Sequence, residues 1–103
     1  MNNVQLVGNI CRDPELRQNG DRSVTRFTIA CQRTYKNAEG KYESDFISCV
    51  SFGKTAEFIS KYFAKGNKIG IIGEIRTGSY TKEDGTKVYT TDVVANSAEF
   101  VQP

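Results

Sequence analysis

Four aromatic side chains lie among polar and basic residues, a pattern whose chemistry is base stacking rather than bond making. Tyr35 lies within Arg33-Thr34-Tyr35-Lys36, and Tyr80 lies within Ser79-Tyr80-Thr81-Lys82. Phe46 and Phe52 share one parity and would stand about 20 Å apart along a strand. An unpaired base offers an apolar ring that stacks on such side chains, and nearby lysines and arginines follow the phosphates. The pattern suits the binding of single-stranded nucleic acid.

The same aromatics also have a structural interpretation. A hairpin turn at Asn37-Ala38-Glu39-Gly40 would place Tyr35 opposite Tyr42, or one residue away if the turn contains a bulge. A turn centred on Asp84-Gly85 would place Tyr80 opposite Tyr89, and such cross-strand pairs stiffen hairpins. Phe46 and Phe52 would be core residues if Ile47 and Cys49 faced outward. Pattern alone favours packing over stacking, and basic residues on hairpins are ordinarily just solvated.

Other chemistry has little support in the sequence. The chain has no histidine, which removes the commonest general base. Cys11, Cys31 and Cys49 form no CxxC pair, so we expect packed thiols and no metal site. Carboxylates are scattered or lie at hairpin tips, where contact with water gives no reason for a shifted pKa. We therefore expect no enzymatic activity and no cofactor.

Composition places the chain in a broad class without revealing a partner. With 103 residues, one domain covering 1–103 is expected. The net charge of +2 is too small to announce a nucleic-acid partner by itself. Neither a transmembrane run nor the features of a signal peptide are present at the start, so a cytoplasmic protein without a membrane partner is expected.

Periodicity predicts five strands and one helix. The helix is predicted over Lys54–Lys65, with Ala56, Ile59 and Phe63 on its apolar stripe and Gly66 as its C-cap. The predicted strands are Val4–Ile10, Val24–Thr34, Asp45–Phe52, Lys68–Thr81 and Val88–Ala95. Gly70 and Gly73 within the fourth strand indicate a bend or close packing. The order predicts an all-β fold, a five-stranded OB-fold Greek-key barrel with one helix between strands 3 and 4.

Several segments, taken together, resemble the bacterial and phage single-stranded DNA-binding protein family. The resemblance covers essentially the whole chain, with its segments in the family's order. They are Asn3–Asn9, Arg12–Arg17, Phe52–Glu57, Lys65-Gly66, Gly73–Thr77 and Tyr89–Val94.

The resemblance implies an OB-fold that assembles as a homotetramer and binds single-stranded DNA without sequence preference in replication, recombination and repair. It implies stacking by Tyr35, Phe46, Phe52 and Tyr80. It also implies phosphate contacts at Lys36, Lys54, Lys65 and Arg76. Arg33 and Lys82, which flank the two tyrosines, complete the set of candidate phosphate contacts.

Three departures from the family pattern affect these expectations. The chain has no tryptophan, which family members often use for stacking, so each stack is expected to be weaker. Ile47 stands where some members have an interface histidine. The family usually continues into a flexible linker and an acidic tail, but this chain ends Val101-Gln102-Pro103, so partners recruited by a tail are not expected.

Two alternative functions stay open at this point. One is a primosomal replication-restart OB protein, acting mainly through protein interactions, and the other is an RNA-binding OB domain.

Overall fold

Six strands and one helix build the chain. The computed structural model describes residues 1–101; Gln102 and Pro103, the end of the expected domain, lie outside the described residues. The elements are β1 (Val4–Ile10), β2 (Glu15–Asn19), β3 (Arg22–Lys36), β4 (Tyr42–Phe52), α1 (Gly53–Tyr62), β5 (Lys68–Thr81) and β6 (Lys87–Phe100). Among residues 1–101, no helix has the length and hydropathy that crossing a membrane requires.

The strands form one sheet that closes on itself. Its order is β1-β5-β6-β4-β3-β2, and a further pairing of β1 with β3 at Asn9 and Ile10 closes five of the strands into a barrel. The β4–β6 pairing is parallel, and the other pairings are antiparallel. The helix lies between β4 and β5 in the chain. The predicted OB-type barrel is therefore confirmed.

The strand count is the first correction. The segment Glu15–Asn19 forms a sixth strand that pairs with β3 along its whole length. All five of its residues are exposed, so no alternation of apolar and polar residues marks it in the sequence. It is held by the hairpin turn at Gly20 and Asp21 and by the backbone of β3 rather than by a buried face.

The barrel interior is filled by aliphatic and aromatic residues from the strands and α1. Phe27 and Phe63 are each only 4% exposed. Ile59 of the helix is fully buried, so α1 plugs the core through its apolar stripe. The buried cluster is Ile10, Phe27, Ile29, Cys49, Ile59, Phe63, Ile69, Ile71, Val93 and Ala95.

The helix ends earlier than the sequence predicts. It stops at Tyr62, and Phe63 is its C-cap, with an extended backbone and an N–H donated to the Ile59 carbonyl. Leaving the helix at this point lets the Phe63 ring stack on Phe100, with centroids 4.6 Å apart. Gly66 is therefore not the C-cap. It lies in the following turn at φ +89°, and its N–H bonds to the carbonyl of Ile10.

β5 packs closely against β6 at Gly73, one of the two outcomes that its glycines predict. The pairing of β5 with β6 shifts register between Ile72 and Gly73. A Cβ at Gly73 would lie 1.9 Å from the carbonyl oxygen of Val94, so only glycine fits. Beyond this point the strand leaves the core, and Ile75 is 45% exposed.

Both long hairpins turn in the same way, which confirms the bulge alternative for the first hairpin and corrects the predicted pairing in the second. In each turn the fourth residue, Gly40 or Gly85, has a positive φ and forms a bulge, with its N–H bonded to the carbonyl of the first residue, Asn37 or Lys82. Tyr42 consequently pairs with Lys36 and not with Tyr35, the outcome of a bulge. The predicted pairing of Tyr80 with Tyr89 is wrong: Tyr80 lies opposite Val88, and Tyr89 lies opposite Ser79.

Candidate nucleic-acid interface

Near the middle of β4, residues on opposite sides of the strand differ sharply in exposure. Phe46 points outward and is 72% exposed, whereas Ile47 packs against the core and Cys49 is 1% exposed. Phe52 shares the parity of Phe46 and is half-buried. The structure therefore rules out the arrangement with Ile47 and Cys49 outside, and it leaves Phe46 without a packing role in the core.

Strand pairing extends the outward side of β4 across the sheet. Val50 pairs with Arg26 of β3 on one side and with Val94 of β6 on the other. Val88 lies six residues before Val94 in β6, so the two side chains face the same side. Tyr80 of β5 pairs with Val88 and therefore faces that side too. We call this surface the aromatic face; Phe46, Phe52 and Tyr80 lie on it. Tyr80 is 55% exposed.

Phe52 lies beside an arginine that the sequence did not single out. The guanidinium carbon of Arg22 is 4.3 Å from the centre of the Phe52 ring, a cation–π contact. Arg22 and Arg76 line one shallow groove with Phe52. Val24 pairs with Phe52, so Arg22, two residues earlier in β3, falls on the same side. The β3–β4 register was the signal that could have found it.

Tyr35 stands apart from the other three aromatics. It is 76% exposed and belongs to the irregular part of β3 between Gln32 and Lys36. It lines a groove with Arg33 and Asp45, and Asp45 has the parity opposite to Phe46. The structure therefore brings Phe46, Phe52 and Tyr80 onto one face but does not place Tyr35 with them.

Arg33, a candidate phosphate contact, is already engaged by carboxylates. Its Nε and Nη2 donate to both oxygens of Asp45, at 2.8 to 3.2 Å, and its Nη1 donates to Glu43 at 3.1 Å. The hydrogen bond from Arg33 lowers the pKa of Asp45 and, reciprocally, raises that of Arg33. A phosphate would have to compete with these acids.

The other candidate cations are spread around the face. Arg76 pairs across the sheet with Asp92, and its guanidinium lies 3.6 Å from Glu74. Lys54 is in the first turn of α1, two residues after Phe52. Lys82 opens the β5–β6 turn, two residues after Tyr80.

Lys36 and Lys65 differ in their relation to the face. Lys36 pairs with Tyr42 at the end of β4 that also carries Phe46. Lys65 lies in the turn after α1, where its N–H bonds to Asp13. None of the contacts within residues 1–101 joins Lys65 to the aromatic face.

Two further basic residues lie on or beside the aromatic face. Arg26 faces outward from β3, 3.7 Å from Asp92. Arg12 lines a groove with Arg26, Thr28 and Ser48. The face is therefore ringed by cations but also carries carboxylates, which limits its net positive charge.

Two of the three thiols have raised pKa values, and the described residues contain no metal-binding cluster. Burial raises the pKa of Cys49 to about 12 and also raises that of Cys31, so these thiols stay protonated. No group of three or more histidine, cysteine or carboxylate side chains within residues 1–101 is arranged to hold a metal ion.

Comparison with known proteins places these features in a family. Residues 1–101 match the model of the single-strand binding protein family. The chain is 50% identical over 103 residues to the single-stranded DNA-binding protein of Clostridium perfringens, covering 98% of this chain and 66% of that protein. It is 45% identical over 105 residues to single-stranded DNA-binding protein 1 of Staphylococcus aureus, covering 100% of this chain and 67% of that protein. The chain spans about two thirds of the length of these relatives, and it belongs to the single-strand binding protein family.

Proposed function

We propose that this chain binds single-stranded DNA without sequence preference, in the cytoplasm, and protects exposed strands during replication, recombination and repair. The observation that carries the proposal is the 72% exposure of Phe46 on a sheet face shared with Phe52 and Tyr80. A large apolar ring so exposed, and aligned with others, is suited to contact with another molecule. The named relatives bind single-stranded DNA.

Binding on this face would combine stacking with phosphate contacts. Bases stack on Phe46, Tyr80 and the uncovered side of the Phe52 ring, since every base has a π-face. Arg22 and Arg76 lie beside Phe52, where they can contact the backbone of a strand seated there. Stacking distinguishes poorly between bases, so sequence preference is expected to be weak. The proposal requires no bond making, and we assign the chain no catalytic role.

The mixed charge of the face predicts moderate salt sensitivity. Each neutralised phosphate contributes a slope of about −0.7 to the dependence of log affinity on log salt. Since Glu74 and Asp92 lie beside Arg76 and Arg26, fewer phosphates are neutralised than the number of cations suggests. We expect binding to poly-dT to persist at about 0.3 M NaCl, because stacking is not screened. Complete loss at that salt would show that electrostatics dominates.

The direct test compares nucleic acids. Poly-dT, poly-U and a duplex of matched length are titrated against the protein, with tyrosine fluorescence as the signal. We expect poly-dT to bind most tightly of the three, and we expect Phe46→Ala to weaken the binding of poly-dT. Equal affinity for duplex and single strand would contradict the proposal, and tighter binding of poly-U would favour an RNA-binding domain.

We also propose that the chain assembles as a homotetramer. β1 pairs with β5 over Val4–Asn9 but with β3 only at Asn9 and Ile10, so its other edge is open over most of its length. An open edge favours pairing with a second copy. Light scattering coupled to size exclusion should give a mass near four times 11.5 kDa. A monomer persisting at tens of micromolar would contradict the assembly but not the binding.

A further inference from the structure

We propose that Tyr42 is an additional stacking residue that extends the aromatic face beyond Phe46, with Lys36 as its paired cation. The inference rests on the proposed binding of single-stranded DNA. Tyr42 begins β4, four residues before Phe46, so the two side chains share a parity and lie about 13 Å apart along the strand. Its side chain is half-exposed.

Packing does not account for the position of Tyr42. Its expected partner, Tyr35, is not opposite it, because the bulge pairs Tyr42 with Lys36 instead. Within residues 1–101, ring–ring contacts are confined to the cluster of Phe58, Tyr62, Phe63 and Phe100 at the helix. The Tyr42 ring therefore contributes to no aromatic packing, and removing it should leave the barrel intact.

The contact that Tyr42 does make suits a nucleic acid. The Lys36 ammonium lies 5.8 Å from the centre of the Tyr42 ring. An exposed cation–π contact at this distance is weak, so a base can displace the ammonium or take the other side of the ring. The displaced ammonium is then beside the backbone of the same nucleotide, where it can contact a phosphate. One strand could thus run along β4 from Phe52 past Phe46 to Tyr42.

Tyr89 provides a matched control on the other side of the sheet. Its ring also carries a lysine, with the Lys87 ammonium 5.4 Å from the ring centre, and it is 75% exposed. It lies opposite Ser79 in β5, so its parity is opposite to that of Tyr80. Tyr42 and Tyr89 therefore share their local chemistry and differ in the side of the sheet on which they lie.

The experiment compares poly-dT affinity and unfolding midpoint for the full chain and four variants: Tyr42→Ala, Tyr42→Phe, Tyr89→Ala and Phe46→Ala. Tyr42→Ala is expected to weaken binding about fivefold, the lower end of the effect of losing a stack. Tyr42→Phe should bind like the wild type because it keeps the ring, and Tyr89→Ala should also bind like the wild type. If Tyr42→Ala and Tyr89→Ala change affinity equally, the inference is wrong.

Two outcomes separate this inference from the function on which it rests. Failure of the wild type to bind poly-dT, or an unchanged affinity in Phe46→Ala, would contradict the proposed function. A normal loss in Phe46→Ala with no loss in Tyr42→Ala would overturn only the role of Tyr42. If Tyr42→Ala unfolds at a lower midpoint, Tyr42→Leu decides: it keeps apolar bulk without a ring, and wild-type affinity in a stable Leu variant would overturn the inference.

Discussion

Two positions on opposite sides of strand β4 reverse the usual distribution of side chains. On the inner side, Ser51 is fully buried and its hydroxyl lacks a hydrogen-bond partner among the described residues. On the outer side, Phe46 is 72% exposed. Hydrophobicity alone would place the phenylalanine inside and the serine outside. The burial of the small Ser51 side chain follows from the limited space inside the barrel. The exposure of Phe46 has no such cause within the folded chain, so we look for a binding partner that explains it.

The sharpest test of this difference uses the inner thiol of β4. Cys49 is 1% exposed, and burial raises its pKa to about 12, so at pH 8 almost none of the thiol is the reactive thiolate. We expect Cys49 to resist a thiol reagent in the native protein and to react at once in denaturant. Because the pKa is raised, native Cys49 should react more slowly than denatured Cys49 at every pH below that value.

A comparison with Cys11 and Cys31, which are half-buried, calibrates the thiol measurement. The variant Cys49→Ala should lack the one slowly reacting thiol per chain and keep the two that react faster. Immediate reaction of all three thiols in the native protein would show that the inner side of β4 opens readily.

The next test compares two phenylalanines in stability. Phe27 pairs with Cys49 and is 4% exposed, so Phe27→Ala should cost about 3–5 kcal/mol of unfolding free energy through lost burial and a cavity. Phe46→Ala should change that free energy by less than about 0.5 kcal/mol, as is usual at exposed sites. Urea unfolding measures both. A loss in Phe46→Ala as large as that in Phe27→Ala would show that Phe46 is structural.

The sequence predicts the parts of the fold that have a repeating burial pattern. β1 and the inner positions of β3 and β5 alternate between core and solvent, and the stripe on α1 repeats at helical spacing, so all were found. β2 was missed because every residue in it is exposed. The helix end was misplaced because the stacking of Phe63 on Phe100 depends on a residue nearly forty positions away, which no local pattern reveals.

The sequence predicts the aromatic residues of the candidate site better than its charged residues. Polar flanks pointed to Tyr35, Phe46, Phe52 and Tyr80, although Tyr35 lies away from the shared face. Arg22 was missed because its position beside Phe52 depends on the β3–β4 register. The binding of Arg33 by acids was missed because the bonded groups lie ten or more residues apart.

Binding measurements on the aromatic face sharpen the comparison further. Phe46→Ala should weaken poly-dT binding by about 1–3 kcal/mol, the loss of one stacked base. Phe52→Ala should lose less binding, because Arg22 already covers one side of its ring, and more stability, because it is half-buried. Fluorescence titration alongside thermal unfolding separates the two effects. Equal binding losses would indicate that Arg22 moves aside when DNA binds.

The smallest expected effect concerns the ion pairs of Arg33. Asp45→Asn removes the carboxylate that accepts from Arg33 Nε and Nη2, and leaves Glu43 in contact with Nη1. If the partly released guanidinium contacts a phosphate, binding should tighten about twofold to fivefold, under 1 kcal/mol. The salt slope should also steepen by about 0.7. Titrations of poly-dT at several NaCl concentrations give both numbers.

Asp84→Asn is the matched control for the charge change. It raises the net charge by the same one unit, also at a hairpin, but the Asp84 carboxylate accepts from the backbone N–H of Thr86 and restrains no arginine. If Asp45→Asn tightens binding and Asp84→Asn does not, Arg33 can contact a phosphate, and the carboxylates of its own hairpin compete for it in the wild type. Equal tightening in both variants would assign the effect to long-range charge. Weaker binding in Asp45→Asn alone would instead mean that the ion pair orders the hairpin for Tyr35, whose ring lines the same groove.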